Sequence, residues 1–169
     1  MQHTRKARFR WHEWHAKRQS MTQTHACISD NQTEREHLTR LVNQLSDEQL
    51  THPMPAGWTV AAVLAHLAFW DQRALVLLEK WDREGIGPSP IDTDLVNEVM
   101  RTLCLAIPPR QAAQLAIDCA ARVDHTIERL SPQMVANVEQ RGGTVHLKRA
   151  DHRRTHLGKI ERLLGLRTG

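Results

Sequence analysis

The chain has 169 residues, of which 40% are hydrophobic and 25% charged, a composition typical of a soluble globular protein with one domain. Its net charge of +4 does not mark it as a nucleic-acid-binding protein, because residues 1–20 carry six basic residues against one acidic residue and the remainder is close to neutral. Three cysteines are too few for a disulfide scaffold, and no apolar run approaches the roughly 20 residues that cross a bilayer, so we expect a cytoplasmic protein that does not enter a membrane.

Residues 1–30 form a basic leader that differs from the rest of the chain. They combine arginine and lysine with Trp11, Trp14 and four histidines, and they show no sustained helical or alternating period. We therefore expect this segment to be mobile. We also consider Met21 as a natural start, because a polar run follows it. Tryptophans among basic residues occur in proteins that bind single-stranded nucleic acid, but no folded recognition module accompanies them, so nucleic acid is the least favoured partner.

From about residue 32 the hydrophobic pattern becomes helical. Apolar residues recur at spacings of three and four, which predicts an amphipathic helix that buries Leu38, Leu41, Val42 and Leu45. Ser46 favours a helix stop followed by a short new turn. The run from 52 to 57 contains Pro53, Pro55 and Gly57, and it therefore predicts a loop.

A long second helix is predicted from about Thr59, a suitable N-cap residue, to Glu84. Its buried stripe consists of apolar residues at helical spacing, namely Val60, Val63, Leu64, Leu67, Trp70, Leu77, Leu78 and Trp81. Residues 85–90 break the chain, and a weaker helical stretch follows over roughly 95–105.

The second half of the chain predicts two more strong helices. One begins at Pro108 and Pro109, because proline is favoured in a first turn, and it ends near Leu130. Residues 131–143 are predicted to be a connection, and the last helix to run from about 144 to 164. Four main amphipathic helices, with no convincing strand, predict an all-α four-helix bundle with a long connection after the second helix.

The last predicted helix carries His152 and His156, whose spacing of four places both imidazoles on one face within reach of a single metal ion. This short motif is weak by itself, because a chain with 11 histidines is expected to contain about one such pair by chance. The pair, however, continues an apolar stripe with Val145 and Ile160, so it should point into the bundle. Two buried imidazoles need polar partners, and one metal ion is a partner for both.

His66 on the second helix is a third candidate ligand, because it lies on or beside the stripe that contains Val63 and Trp70. Bundles build metal sites from side chains on facing helices, and three imidazoles leave coordination positions open for water or substrate. In the alternative interpretation, His66 is a core histidine bonded to a backbone carbonyl, while His152 and His156 are a solvated pair among arginines. The periodicity leaves both interpretations open.

Three segments carry a resemblance to a known family. They are LSDEQL at 45–50, GWTVAAVLAHLAFWD at 57–71 and HRRTH at 152–156. Together they resemble the DinB-like (DinB/YfiT-type) metalloenzyme superfamily, which includes the metal-binding domain of mycothiol-dependent maleylpyruvate isomerase. The resemblance covers residues 31–165, and it leaves the leader and a tail at 166–169 outside.

The resemblance implies a DinB-like four-helix bundle in which one histidine of the second helix and two of the last bind a divalent transition metal. It assigns this role to His66, His152 and His156. Zinc or nickel is the favoured ion, with iron or manganese as further options. Characterised members act as transferases or isomerases that depend on a low-molecular-weight thiol, and several are homodimers. The implied partners are therefore a small-molecule substrate, a thiol cosubstrate and a second copy of the chain.

The favoured function is a metal-dependent enzyme, transferase-like or hydrolase-like, in which the ion lowers the pKa of a bound thiol or water. The alternative is a non-catalytic metal-binding or stress-associated bundle that sequesters a small molecule. Asp71 and Asp151 are either acceptors for imidazole N–H groups or ordinary surface acids. Arg149 either meets an anionic substrate or is solvated. No catalytic residue is assigned.

The remaining histidines and the cysteines have plainer interpretations. We expect surface or satisfied polar positions for His37, His125 and His146, which have no partner at ligand spacing. We expect Cys119, and the cysteines in general, to be packing residues rather than nucleophiles, because no residue near Cys119 in the sequence would activate it.

Overall fold

The computed structural model describes residues 25–141 and 146–166, and helices dominate this part of the chain. Within these ranges there are seven: α1 (described over 25–44), α2 (Asp47–Thr51), α3 (Val60–Glu84), α4 (Thr93–Ala106), α5 (Pro109–Glu128), α6 (Pro132–Arg141) and α7 (Ala150–Leu164). The predicted all-α class is therefore confirmed. Residues 1–24 of the predicted leader, which include the Met21 start, lie outside the described residues.

The core of the described region is built around α3. Every residue from Val60 to Ala68 is buried, because α3 packs against α4, α5 and α7 as well as the segment that precedes it. Farther along, Leu75 and Leu78 of α3 pack with Val123 of α5 in a second apolar cluster. Helix α3 is thus central, and it needs apolar residues on more of its surface than a helix with one buried face.

Helix α3 is also long and apolar enough to cross a membrane by length and composition, which we did not expect from a run interrupted by His66. Of its most apolar window, 67% is buried inside the protein. A helix at the core of a soluble protein is buried in this way, so packing inside the protein accounts for the apolar character of α3. It is compatible with the predicted absence of a membrane segment.

A short hairpin, in which each strand has two residues, occupies the predicted loop before α3. Strands β1 (Pro53–Met54) and β2 (Trp58–Thr59) pair antiparallel across the 3-10 turn Pro55–Gly57, with Met54 opposite Trp58. Ala56 has a φ of 59°, a left-handed conformation that costs a non-glycine residue about 1 kcal/mol. The absence of strands was therefore a wrong expectation here, because such short pairing has no hydrophobic period of its own. The hairpin places Trp58 beside the start of α3.

Helix α1 already includes residues 25–30, which the composition assigned to the leader. Two features explain why this stretch is ordered into a helix. Cys27 and Ile28 pack against the second apolar cluster, and Asn31 is 1% exposed. The Asn31 side chain donates to the Leu147 carbonyl at 2.8 Å and accepts from the Ala150 amide at 2.8 Å. Contacts with residues more than a hundred positions away therefore define this end of α1.

The connection predicted at 131–143 was wrong, because Pro132–Arg141 forms helix α6. Ser131 accepts a hydrogen bond from the Met134 amide at 3.1 Å, and α6 buries Met134, Val135 and Val138 in the second apolar cluster. The last helix begins at Ala150 rather than near 144, and residues 142–145, including Val145, lie outside the described ranges. Its start is set by Asn31, which satisfies an amide that the sequence around Arg149 does not cap.

Candidate metal centre

Three imidazoles from two helices meet inside the bundle. His66 comes from α3, and His152 and His156 come from consecutive turns of α7. The His66 ring centroid lies 5.2 Å from that of His152 and 4.7 Å from that of His156, and the two α7 rings are 4.8 Å apart. One nitrogen from each ring lies within 4.8 Å of the other two. The three residues singled out from the sequence thus form a single cluster, which we call the histidine cluster.

The spacing fits a metal ion. A tetrahedral ion bound at about 2.0–2.1 Å places its nitrogen ligands about 3.3 Å from one another. The Nε2 atoms of His66 and His152 lie 3.1 Å apart, close to this value. Nδ1, the other nitrogen of the His66 ring, is buried and has no hydrogen-bond partner among the described residues. An ion at Nε2 would leave Nδ1 in this state, so it is the spacing of the three rings that fits a metal ion.

The protonation states also suit a metal site. Burial is the main cause that lowers the pKa of His66 to about 4, of His152 to about 2 and of His156 to about 4. The positive charge of Arg149 lowers the pKa of His152 further, and that of Lys159 adds to the effect at His156. All three rings are therefore neutral at pH 7, and a neutral ring carries the lone pair that a metal requires.

Two tryptophans frame His66. Trp58 of the hairpin meets the His66 ring edge-on with 5.6 Å between centroids, and Trp70 does so at 6.3 Å. The indole N–H of Trp70 donates to Oδ1 of Asn97 at 3.1 Å, which ties α3 to α4 at this point. These edge-on contacts restrict the orientation of the His66 ring, which is 6% exposed.

Beside the histidine cluster lies a buried ion network formed by Asp71, Asp124, Arg149 and Arg153. Asp71, 1% exposed, accepts from Arg149 Nε at 2.8 Å and from Arg153 Nη2 at 2.9 Å. Arg153, fully buried, also donates to both carboxylate oxygens of Asp124 at 2.8 Å. Asp71 is therefore neither an acceptor for imidazole N–H groups nor a surface acid, and both predicted roles were wrong, because its carboxylate is paired with Arg153 of α7 and with Arg149 just before that helix.

Arg149 connects the network to the histidine cluster. It is 7% exposed, so the expectation of a solvated arginine was wrong. Its Nη2 lies 3.4 Å from Nδ1 of His152, in addition to its ion pair with Asp71. Asp151, by contrast, is an exposed acid, which agrees with the plainer of its two interpretations. It pairs with Arg154 at 3.0 Å and with Lys148 at 3.5 Å.

The sequence reasoning missed Arg153, Asp124 and Asn31, although the pattern contained a signal for two of them. Arg153 shares a face with Leu157 and Ile160, which are both buried. Asp124 lies on the face of Ala120 and Ile127 in the same way. A charge within an apolar stripe on each of two helices is the pattern of a buried ion pair. The role of Asn31 was missed because its side-chain partners, Leu147 and Ala150, lie more than a hundred residues away in the sequence.

The other histidines and the cysteines are found as expected. His37 bridges two acids, with Nδ1 3.2 Å from Glu34 and Nε2 2.6 Å from Glu161, so it is a satisfied polar residue. His125 and His146 are exposed. Burial raises the pKa of Cys104 and Cys119, and raises that of Cys27 to about 11. These thiols are therefore protonated at neutral pH, which agrees with a packing role.

Two cavities open on the histidine cluster. One, of about 550 Å³, is lined by polar and basic residues that include Arg73, Lys148, Arg149 and His152. The other, of about 720 Å³, lies against the hairpin and is lined by Met54, Trp58, Val63 and Leu163 among others. His66 and His156 belong to both linings. We call these the polar cavity and the apolar cavity. Both are within the size range of small-molecule sites.

Comparison with known proteins identifies the family of the domain that contains these residues. The family model described as DinB superfamily matches residues 31–160, which is more than half of the chain and includes all three histidines of the cluster. No curated protein and no solved structure matches the chain.

Proposed function

The chain belongs to the DinB superfamily, and we propose that its domain at 31–165 is a divalent-metal-dependent enzyme with His66, His152 and His156 as the metal ligands. The observation that carries this proposal is the histidine cluster itself. Three neutral imidazoles converge, and two cavities of small-molecule size reach the same rings. A fully enclosed structural site would not need these openings.

A bound divalent ion would lower the pKa of a thiol or water that binds beside it, which supplies a nucleophile at neutral pH. Imidazole ligands suit zinc, nickel and iron, and zinc or nickel is the ion we favour. Neighbouring side chains of this protein orient the imidazole rings of the histidine cluster. Trp58 and Trp70 pack on His66, while Arg149 contacts His152.

The reaction we propose is a thiol-dependent S-transfer or isomerisation of a small molecule, with a low-molecular-weight thiol as cosubstrate. It is supported by the resemblance to thiol-dependent members of the superfamily and by the two separate cavities, which offer room for two reactants. We propose a hydrolase-like reaction with water as the nucleophile as the second form of the same chemistry.

Elemental analysis of protein purified without a histidine tag tests the metal site. We expect about one divalent metal ion per chain. His152→Ala should lose the metal together with any thiol-dependent activity, while His125→Ala, which changes an exposed histidine, should keep both. A substoichiometric metal content that His66→Ala leaves unchanged would contradict the proposal.

The alternative function is a non-catalytic metal-binding bundle that sequesters a small molecule. One observation favours it: both acids considered as helpers, Asp71 and Asp151, are engaged by basic side chains rather than facing the imidazoles. Metal-loaded protein that binds a thiol but does not turn over any electrophile offered with it would support sequestration. Metal-dependent product formation would support the enzyme.

We also propose that the protein acts as a homodimer in the cytoplasm. Helix α4 presents Leu95, Val99 and Leu103 at a spacing of four, and these side chains are 56%, 62% and 66% exposed. An apolar stripe of this kind on one helix favours a protein interface. Sedimentation equilibrium should show a dimer that Leu103→Glu converts to a monomer, and a wild-type monomer at micromolar concentration would contradict the proposal.

A further inference from the structure

The apolar cavity combines an apolar wall with two positive charges. The wall comes from the hairpin, the start of α3 and the end of α7, and it includes Met54, Trp58, Val63 and Leu163. The charged residues of the lining are Lys159 and Arg162, and no aspartate or glutamate is among the described residues that line it. This composition fits a molecule that has both a nonpolar part and a negative charge.

Lys159 lies on the face of α7 that lines this cavity. It follows His156 by three residues and precedes Leu163 by four, and both of these neighbours belong to the same lining. The positive charge of Lys159 is one of the causes that lower the pKa of His66 and of His156, so this charge acts on the histidine cluster. A lysine can lay its carbon chain along an apolar wall while its ammonium group stays at the opening.

Neither positive charge of the apolar cavity is neutralised by an acid within the described ranges. Lys159 and Arg162 form no ion pair there, and both are exposed. An anion that binds beside them therefore replaces water rather than a carboxylate of the protein. Because water screens exposed charges, we expect a modest preference for an anion rather than a large one.

The polar cavity differs in this respect. Lys148 pairs with Asp30 at 3.0 Å and with Asp151 at 3.5 Å. Arg149 pairs with Asp71 at 2.8 Å. An anion in the polar cavity would compete with these carboxylates for the same cations, whereas an anion in the apolar cavity would not. The apolar cavity is therefore the more favourable place for the negative group of a ligand.

From these observations we propose that the apolar cavity is the substrate site and that it takes an organic acid, with a nonpolar chain or ring against Trp58 and Leu163 and a carboxylate at Lys159. Such a molecule would lie beside His66 and His156, which line the same cavity. This inference rests on the proposed function, because it assigns the substrate class of the proposed metal site.

Calorimetric titration of the full chain after metal removal tests the role of charge. The probes are 3-phenylpropionate and its neutral amide, 3-phenylpropanamide, which share the same nonpolar part. We expect the acid to bind about three- to fivefold more tightly, because an exposed charge pair contributes up to about this much. Without metal, the carboxylate cannot gain affinity by binding the ion directly.

Variants at the basic residues locate the carboxylate. The double variant Lys159→Gln with Arg162→Gln should bind the acid and the amide equally and should bind the amide as the wild type does. Lys148→Gln, a matched change in the polar cavity, should keep the preference for the acid. A preference that Lys148→Gln abolishes and the double variant retains would overturn the proposal, because the anion would then bind in the polar cavity.

The nonpolar part is tested with acetate, which has a carboxylate and almost no apolar surface. Acetate should bind more than about tenfold more weakly than 3-phenylpropionate, because it buries no ring. Leu163→Gln should weaken 3-phenylpropionate several-fold, and Leu115→Gln, which changes a leucine of α5 that is exposed to a similar extent, should not. Equal effects of the two substitutions would overturn the assignment of the apolar cavity. Thermal unfolding curves show whether each variant retains the fold.

The outcomes separate this inference from the proposed function. If the acid and the amide bind equally and the double variant changes neither, the substrate class is wrong, although a metal site found by elemental analysis stands. If the chain holds no metal but prefers the acid in a way that depends on Lys159, the metal-dependent enzyme is wrong and the binding site for an organic acid stands.

Discussion

Two buried groups of polar residues, the buried ion network and the histidine cluster, both include residues of α7. Their polar atoms are satisfied in different ways. In the buried ion network, Arg153 donates to Asp71 and Asp124, and Asp71 also binds Arg149. In the histidine cluster, the rings mainly face one another, and Nδ1 of His66 has no hydrogen-bond partner among the residues that the structure describes. His152 and Arg153 are consecutive residues, so one turn of helix carries both kinds of site.

The difference separates a structural task from a functional one. The buried ion network links α1, α3, α5 and α7, since Arg153 also donates to the Asn31 carbonyl of α1 at 3.2 Å. Its charges are buried with their partners, so it holds the helices in one arrangement without needing anything else. Each ring of the neutral histidine cluster has one nitrogen near those of the other two, an arrangement that can accept a further group such as a metal ion. Each prediction below changes one side of this comparison.

The largest expected effect on stability comes from Arg153→Met. This variant leaves Asp71 and Asp124 buried with fewer positive partners, so the free energy of unfolding should fall by about 3–5 kcal/mol. Urea denaturation of metal-free protein measures it. Arg154→Met is the control, because Arg154 is half-exposed and its pairs with Glu34 and Asp151 are worth less than about 1 kcal/mol. Equal effects would show that the buried ion network is not what holds the bundle.

His152→Ala, in contrast to Arg153→Met, should affect metal binding strongly and stability only slightly. Loss of one of three proposed ligands should weaken metal binding by more than about 100-fold, since even indirect partners of a metal site are worth 10- to 100-fold. The free energy of unfolding of metal-free protein should change by no more than about 1 kcal/mol, because the ring nitrogens contact His66 at 3.1 Å and Arg149 at 3.4 Å, and the second of these contacts is long. Competition with a chelator and urea denaturation measure the two effects. A large loss of stability with unchanged metal affinity would reverse the roles assigned to the two groups.

The pH dependence of metal-free protein should come from the histidine cluster. Its folded pKa values of about 4, 2 and 4 lie below the usual 6.5, so the unfolded chain takes up protons before the folded one does as pH falls. The stability that these histidines contribute should therefore be present above pH 6.5 and decline as the pH falls below it, by about 1.5 kcal/mol per histidine between pH 6.5 and 5.

Urea denaturation at pH 7 and pH 5 checks this expectation. A variant with His66→Gln, His152→Gln and His156→Gln lacks the buried imidazoles, and it should show a smaller loss of stability between the two values. Parallel pH profiles for wild type and variant would mean that other groups dominate the acid sensitivity.

A smaller loss of stability than for Arg153→Met is expected for Asn31→Ala, which tests how the Asn31 side chain attaches α1 to the start of α7. Asn31 bonds the Leu147 carbonyl and the first amide of α7, and both groups would lose their partner. The free energy of unfolding should fall by about 1–2 kcal/mol. Hydrogen exchange should also speed up at the start of α7. Gln32→Ala, which removes an exposed bond to Glu36, is the control and should change neither quantity.

Much of the fold was predictable from local patterns. The stripe with Leu38 and Leu45 correctly predicted the core-facing part of α1, and Thr59 does cap α3, accepting from the Ala62 amide at 3.1 Å. Ser46 likewise begins the short helix α2. These features depend on residues three or four positions apart, so the sequence displays them directly. Helix α6, which begins at Pro132, was missed because only three of its described side chains are buried and apolar, too few for a strong period.

The candidate site was also predictable only in part from local patterns. The sequence by itself determined that His66 lies on a buried helix and that His152 and His156 share one face, and the structure brings all three together. Their role as metal ligands stays a prediction. Only the tertiary structure decided the partners of Asp71 and Arg149, because an acid on α3 can pair with any base that packing brings near. Helical periodicity specifies which face of a helix is buried, whereas the pairing of charges across helices depends on their relative positions in space.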